Sequence, residues 1–325
     1  MSSESTPGPG ALGSTAARVA EAVRQAVIGQ EAAAETLLAA YMAGGHALIE
    51  GVPGIAKTLL ARAFSSSLGL KFSRVQFTPD LMPSDLVGTN VYDQKTGAFR
   101  LVRGPVFTEV LMADEINRTP PKTQSALLES MQEGQVTIDG VTYPLPPGFF
   151  VIATQNPVEF EGTYPLPEAQ LDRFLARVEM GLPERAAEIE IYRRAVSGTL
   201  AGWGSETALP AAVVTPAEGL ALRRASRTVH VAAELLEYVA TLAAAVRKSD
   251  RVEIGVSPRG ALALLEMARA YALLAGRDFV APDDVKRCLA PCWGHRMLLT
   301  ADAELEDETP ARVLMQIANA VPVPH

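Results

Sequence analysis

The sequence predicts an α/β fold: a parallel sheet between helices, with inserted β-hairpins, followed by a smaller all-helical unit. Three observations predict it. Short apolar runs alternate with helical periodicity through the first half of the chain. Two segments of alternating residues around turn dipeptides interrupt that alternation. Beyond Pro183 the spacing is helical almost throughout.

The elements follow in order. Residues 1–18 begin MSSESTPGPG, lack the basic and apolar regions of a leader, and read as a disordered arm. Ala, Val, Leu and Ile recur at helical spacing over 16–44, and the Gly44-Gly45 break leads into a buried strand at 47–49. GVPGIAKT (51–58) then opens a helix that ends at Gly69. Further strands are expected at 72–77, 110–113, 149–153 and 177–182, with helices at 121–132 and 168–176. Hairpins are expected at 90–102, around Lys95-Thr96-Gly97, and at 135–143, where Asp139-Gly140 suits a type I′ turn. A helix at 184–196, a loop at 197–210 and helices over 216–299 complete the chain, with a boundary near Pro183.

Composition narrows the function classes. The 325 residues hold 29 Lys+Arg against 37 Asp+Glu, a net charge of −8, which argues against a protein that coats nucleic acid or anionic membrane. Two cysteines exclude a disulfide scaffold and fit a reducing, cytoplasmic setting. The apolar stretch 36–49 is flanked by Glu35 and Glu50 and falls short of the ~20 residues of a membrane span. Cys288, Cys292 and His295 are close in sequence but lack a fourth ligand, so they read as thiols in a packed helix and not as a zinc site.

The chemistry concentrates in four places. GVPGIAKT nearly matches G-x-x-x-x-G-K-[ST], a loop whose backbone N–H groups surround phosphates. Lys57 would reach the β- and γ-phosphates and Thr58 would ligate Mg²⁺. Ala56 stands where the pattern has Gly, which is acceptable if its φ is negative; Gly51 and Gly54 would then supply the unusual angles. Asp114 and Glu115 end an apolar strand, suited to holding the Mg²⁺ shell and activating water. Asn156 follows another strand, and Arg173 stands at a helix end within Leu171-Asp172-Arg173-Phe174, where a surface Asp–Arg pair is the simpler reading if it is taken alone.

Taken together, EGVPGIAKT (50–58), FTPDLMPSDLVG (77–88), LMADEINRTPPKTQSALLESMQEGQV (111–136), VIATQNPVEFEGTYPLPEAQLDRF (151–174) and GVSPRGALALL (255–265) resemble the MoxR family of AAA+ ATPases. The resemblance runs over about residues 19–312. It implies an ATPase core at 19–183 and a helical lid region at 184–325, with the lid proper at 228–312. It also implies ATP and Mg²⁺ as cofactors, with Gly51, Val52, Pro53, Gly54, Ala56, Lys57 and Thr58 in Walker A. Asp114 and Glu115 then form Walker B, Thr58 and Asp114 hold Mg²⁺, Asn156 is the first sensor, Arg173 the arginine finger and Arg259 the second sensor. Lys57, Arg173 and Arg259 would converge on one nucleotide.

The resemblance further implies a ring, usually hexameric, that remodels partner proteins, often ones with von Willebrand factor A domains. Three alternatives share parts of this pattern. A magnesium-chelatase-like motor has the same catalytic residues. A nucleic-acid-dependent motor or transcriptional activator is disfavoured by the charge and by the lack of a helix-turn-helix. A small-molecule kinase fits Glu115 and Asn156 poorly.

Overall fold

The computed structural model describes residues 9–156, 162–200 and 209–324. Parts of the expected arm and of the 197–210 loop, together with Pro157 and His325, lie outside them.

The chain opens with α1 (Pro9–Ala26) and α2 (Glu31–Ala43), then β1 (Ala47–Glu50), α3 (Lys57–Ser67), β2 (Phe72–Gln76) and the short α4 (Pro83–Val87). A hairpin follows, β3 (Gly88–Asp93) with β4 (Ala98–Arg103), then β5 (Val110–Asp114) and α5 (Pro121–Glu133). The second hairpin is β6 (Gln135–Ile138) with β7 (Val141–Pro144), and its turn has φ 49° at Asp139 and 80° at Gly140, as a type I′ turn requires. β8 (Phe150–Gln155), the one-turn α6 (Glu168–Leu171) and β9 (Ala176–Glu179) complete the core.

β2, β5, β8, β1 and β9 form, in that order, one parallel sheet. The three central strands are buried on both faces, which is why they read as unbroken apolar runs. Successive residues serve opposite layers: Val110, Met112, Phe150 and Ile152 face α1–α3, while Leu111, Ala113, Val151 and Ala153 face α5. Phe150 packs edge-on to Tyr41 at 5.5 Å and beside Phe64 at 5.6 Å.

After α7 (Arg185–Val196) come α8 (Pro216–Ser226), α9 (Ala233–Lys248), β10 (Val252–Ile254), α10 (Pro258–Leu274), α11 (Pro282–Trp293), β11 (Leu298–Leu299), α12 (Ala301–Leu305) and α13 (Pro310–Ala320). This helical lid also carries a small antiparallel ribbon, β10 with β11. Its buried Leu264, Met267, Tyr271 and Trp293 belong to the same apolar cluster as α1, α2 and α3, so lid and core share a packed interior. Among the described residues, no helix is long and apolar enough to cross a membrane.

Two local expectations need correction. Residues 9–18 are helical, within α1, and not part of a disordered arm. Leu12 extends the buried stripe of Ala16, Val19 and Val23 by one turn, an extension that the Ser/Gly/Pro composition masked. Gly13 allows α1 to press on the end of α10, since a Cβ there would stand 2.7 Å from Gly276 Cα. The helix expected at 168–176 ends at Leu171, because Ala176 already pairs with Ala47 in the sheet.

Candidate functional site

All five core strands run the same way, so the segments that leave their carboxyl ends gather along one edge of the sheet. The chain after β1 returns to the far edge strand β2, while β9 lies on the other side of β1. That makes the exit of β1 a topological switch point, the place where open α/β sheets bind ligands. The loop 51–56 occupies it and leads into α3.

Gly51 is required by space. A Cβ there would lie 2.1 Å from Ile55 Cδ1 and 2.6 Å from the Met180 carbonyl oxygen. Gly54 has φ 85°, and a Cβ on it would meet nothing within 4 Å, so its requirement is conformational. Ala56 departs from expectation, with φ 68° and ψ 28° in the left-handed region. The loop therefore keeps the backbone shape of the Gly-containing pattern and bears the strain of an alanine in it, about 1–2 kcal/mol. Part of that cost is offset because glycine loses about 0.4–1 kcal/mol through its freer unfolded chain. Ala56→Gly is thus expected to raise the melting temperature by about 1–3 °C; a lowered midpoint in thermal denaturation would contradict this account.

Val52 and Pro53 are exposed on the loop's outer side, and Lys57 and Thr58 are half-buried in the first turn of α3. Lys57 Nζ donates to the Gly51 carbonyl at 2.8 Å and to the Gln155 carbonyl at 3.3 Å, so it spans the exits of β1 and β8. The first turn of α3 contains no acidic residue. A helix N-terminus and a lysine together leave a concentration of positive charge suited to phosphate oxygens. A cleft of about 460 Å³ adjoins the loop, lined by Val27, Ile28, Ala56, Thr58, Leu182 and Ile191. Its apolar walls beside the cationic turn match a base attached to phosphates.

Asp114 is buried at the exit of β5. Its Oδ2 accepts from Arg74 Nε at 3.0 Å and Nη2 at 2.5 Å, and its Oδ1 accepts from Thr154 Oγ1 at 2.5 Å. Thr154 Oγ1 also accepts the Glu115 N–H at 2.9 Å. That bond helps hold Glu115 in a left-handed conformation, φ 57° and ψ 51°, uncommon for a residue with a side chain. Gln76 Nε2 donates to Glu115 Oε2 at 2.6 Å, and Arg118 Nε approaches the same oxygen at 3.1 Å. Asn156 is buried at the exit of β8, immediately after the strand's last residue, Gln155.

The structure therefore brings Gly51–Thr58, Asp114, Glu115 and Asn156 to one edge. Sequence reasoning missed Arg74, Gln76 and Thr154. The one available signal was the polar alternation of Arg74 and Gln76 within an otherwise ordinary strand.

Arg173 and Arg259 are elsewhere. Arg173 precedes β9, whose Ala176 is in register with Ala47 at the start of β1, so it sits at the amino edge of the sheet. Four strand residues, about 13 Å, separate that edge from the phosphate loop within one chain. Arg173 Nη1 donates to the Leu128 carbonyl at 3.0 Å. Arg259 stands in the first turn of α10, behind an N-cap in which Ser257 Oγ accepts the Gly260 N–H at 3.1 Å. The two arginines share a second cleft of about 340 Å³ with His46, Asp172 and Arg296. Burial lowers the His46 imidazole to about 4, so it is neutral at pH 7 and bridges the Met131 carbonyl and the Val151 N–H, each at 3.0 Å. Lys57, Arg173 and Arg259 thus do not converge within a single chain.

Cys288 and Cys292 are buried in α11, and burial holds the Cys288 thiol well above its usual range. His295 donates from Nε2 to the Phe174 carbonyl at 3.0 Å, a lid–core contact.

Comparison with known proteins gives the family. Residues 46–176 match the model of the ATPase family associated with various cellular activities, and 244–317 match an AAA lid domain. YeaC of Bacillus subtilis is 44% identical over 307 residues, 94% of each chain. Chaperone MoxR1 of Mycobacterium tuberculosis is 41% identical over 93% of this chain and 80% of its own length. Protein MoxR of Paracoccus denitrificans is 33% identical, over 93% of this chain and 94% of its own. A crystal structure of a candidate ATPase from Cytophaga hutchinsonii superposes with a TM-score of 0.87 at 39% identity, covering 97% of this chain and 96% of that one. With relatives of that identity and coverage on both sides, the chain belongs to the MoxR family of AAA+ ATPases.

Proposed function

We propose that this protein hydrolyses ATP with Mg²⁺ as a cytoplasmic ring, probed most simply as a hexamer, and uses the cycle to remodel partner proteins. Residues 19–183 would form the ATPase core and 184–325 the lid region. The observation that carries the reading is the division of the site: the phosphate loop, Asp114, Glu115 and Asn156 at one sheet edge, Arg173 and Arg259 at the other. A neighbouring copy must bring the second set to the first, so catalysis and assembly are one property.

The residues fit ATP and Mg²⁺. The loop's N–H groups, Lys57 and the α3 N-terminus take phosphate oxygens, and the apolar cleft takes the base. Thr58 and Asp114 supply oxygen donors of the kind Mg²⁺ prefers, and Mg²⁺ would neutralise charge on the phosphates. For Asp114 to serve the metal shell, Arg74 must yield part of its hold on Oδ2. Glu115 would take a proton from the attacking water, and Asn156 would orient that water or the γ-phosphate. Arg173 and Arg259 of one protomer would stabilise charge on its neighbour's nucleotide.

The chaperone role draws on the naming of the Mycobacterium tuberculosis relative and on the exposed apolar tip of the first hairpin, where Phe99 is 72% exposed and Tyr92 54%. A partner with a von Willebrand factor A domain is the form this proposal takes for its substrate. The test is ATP hydrolysis per subunit measured against protein concentration, with assembly followed by light scattering. The expected result is turnover that rises with assembly; turnover per subunit that stays constant through dissociation to monomer would contradict the shared site.

A further inference from the structure

Arg296 follows α11 in the lid, yet its guanidinium is spent on the core. Its side chain is 4% exposed, and all five of its N–H donors are engaged. Nε donates to Asp172 Oδ1 at 2.7 Å, and Nη2 to the Asp172 carbonyl at 3.0 Å and the Phe174 carbonyl at 2.7 Å. Nη1 donates to the Leu175 carbonyl at 3.0 Å and to the Cys292 carbonyl. Four of the five acceptors therefore belong to the turn 172–175, on both sides of Arg173. His295 adds its bond to the Phe174 carbonyl, held as a neutral donor because burial lowers its imidazole to about 3.

The same node reaches the second arginine. Asp172 Oδ2 lies 3.7 Å from Arg259 Nη1, so one carboxylate stands between Arg296 and Arg259. Trp293 Nε1 donates to the Gly260 carbonyl at 2.9 Å, which fastens the end of α11 to the start of α10. Gly260 leaves room for this arrangement, since a Cβ there would stand 3.1 Å from Arg296 Cδ and 2.6 Å from Val256 Cγ1.

We propose that Arg296 is a positioning residue for Arg173: a lid guanidinium that fixes the turn presenting the core's arginine to the neighbouring protomer, with Asp172 linking that turn to Arg259. The proposal rests on Arg173 acting in trans. A guanidinium with five fixed acceptors sets the turn's backbone more narrowly than a packing contact would, and misplacement of a charge-stabilising group by about 1 Å costs up to about 10² in rate. The consequence is that lid and finger move as one body, so a displaced lid withdraws the finger.

The test uses the full chain and compares Arg296→Gln, Arg296→Lys and Arg173→Ala by steady-state ATP hydrolysis, fluorescent-nucleotide binding and thermal melting. Each variant is also mixed with Lys57→Ala, which offers an intact finger. Arg296→Gln is expected to lower kcat by about 10- to 100-fold with KM nearly unchanged, and mixing with Lys57→Ala restores part of the turnover. If Arg296→Gln fails to fold, Arg296→Lys decides: it keeps a charge beside Asp172 but has three donors for five acceptors, and kcat falls to an intermediate value. Parental kcat in the folded Arg296 variant, with Arg173→Ala inactive, would overturn the positioning role and leave the finger reading standing. A loss that mixing does not restore, or that follows nucleotide affinity, would also overturn it in favour of a structural staple. Parental kcat in Arg173→Ala would sink the finger reading and the proposal together.

Discussion

Glu115→Gln is expected to bind ATP with parental affinity and to hydrolyse it about 10²–10⁴ times more slowly, the contribution of a positioned general base. The substitution preserves size and leaves an oxygen to accept from Gln76 and Arg118. The left-handed backbone at position 115 is also retained, because its N–H is held by the Thr154 hydroxyl and not by the side chain. What disappears is basicity, so binding and hydrolysis separate. Nucleotide titration alongside phosphate release checks this, and hydrolysis at the parental rate would remove Glu115 from its role.

Arg173→Ala carries the other large effect. An arginine finger supplied by a neighbour is worth about 10³–10⁵ in turnover in phosphoryl-transfer systems. Among the described residues Arg173 makes one hydrogen bond, to the Leu128 carbonyl, so its removal costs the fold little, about 1 kcal/mol. The expected variant melts near the parental temperature, binds ATP and barely turns over. Hydrolysis close to the parental rate would show that charge on the γ-phosphate is stabilised without it.

The sheet was readable because its central strands are buried on both faces and so appear as uninterrupted apolar runs. Lys57, Asp114 and Glu115 were readable because they follow such runs at fixed spacings. The start of α1, before residue 16, was obscured because Leu12 lies within a Ser/Gly/Pro-rich composition, and the contact of Gly13 is with Gly276, far along the chain. Ala56 misled because residue type gives φ only as a preference; the loop imposes 68° on an alanine.

Arg74 and Thr154 were silent for a different reason. Each acts on Asp114 from a neighbouring strand, a relation created by sheet order and absent from local spacing. The same holds at the amino edge, where Arg296 meets Asp172 across 124 positions of sequence. Resemblance named Arg173 and Arg259, but only strand register shows that Arg173 stands at the edge opposite Lys57, and only the shared cleft sets Arg259 beside it.

The central claim is that each site is completed by a neighbouring protomer, and complementation tests it most directly. Lys57→Ala and Arg173→Ala, each inactive alone, are mixed in equal amounts and allowed to exchange subunits. About a quarter of the boundaries in a randomly mixed ring then join an intact phosphate loop to an intact finger. The account predicts that hydrolysis returns to about that fraction of the parental rate. Mixed rings that form, as shown by co-purification of differently tagged subunits, yet remain inactive would contradict it.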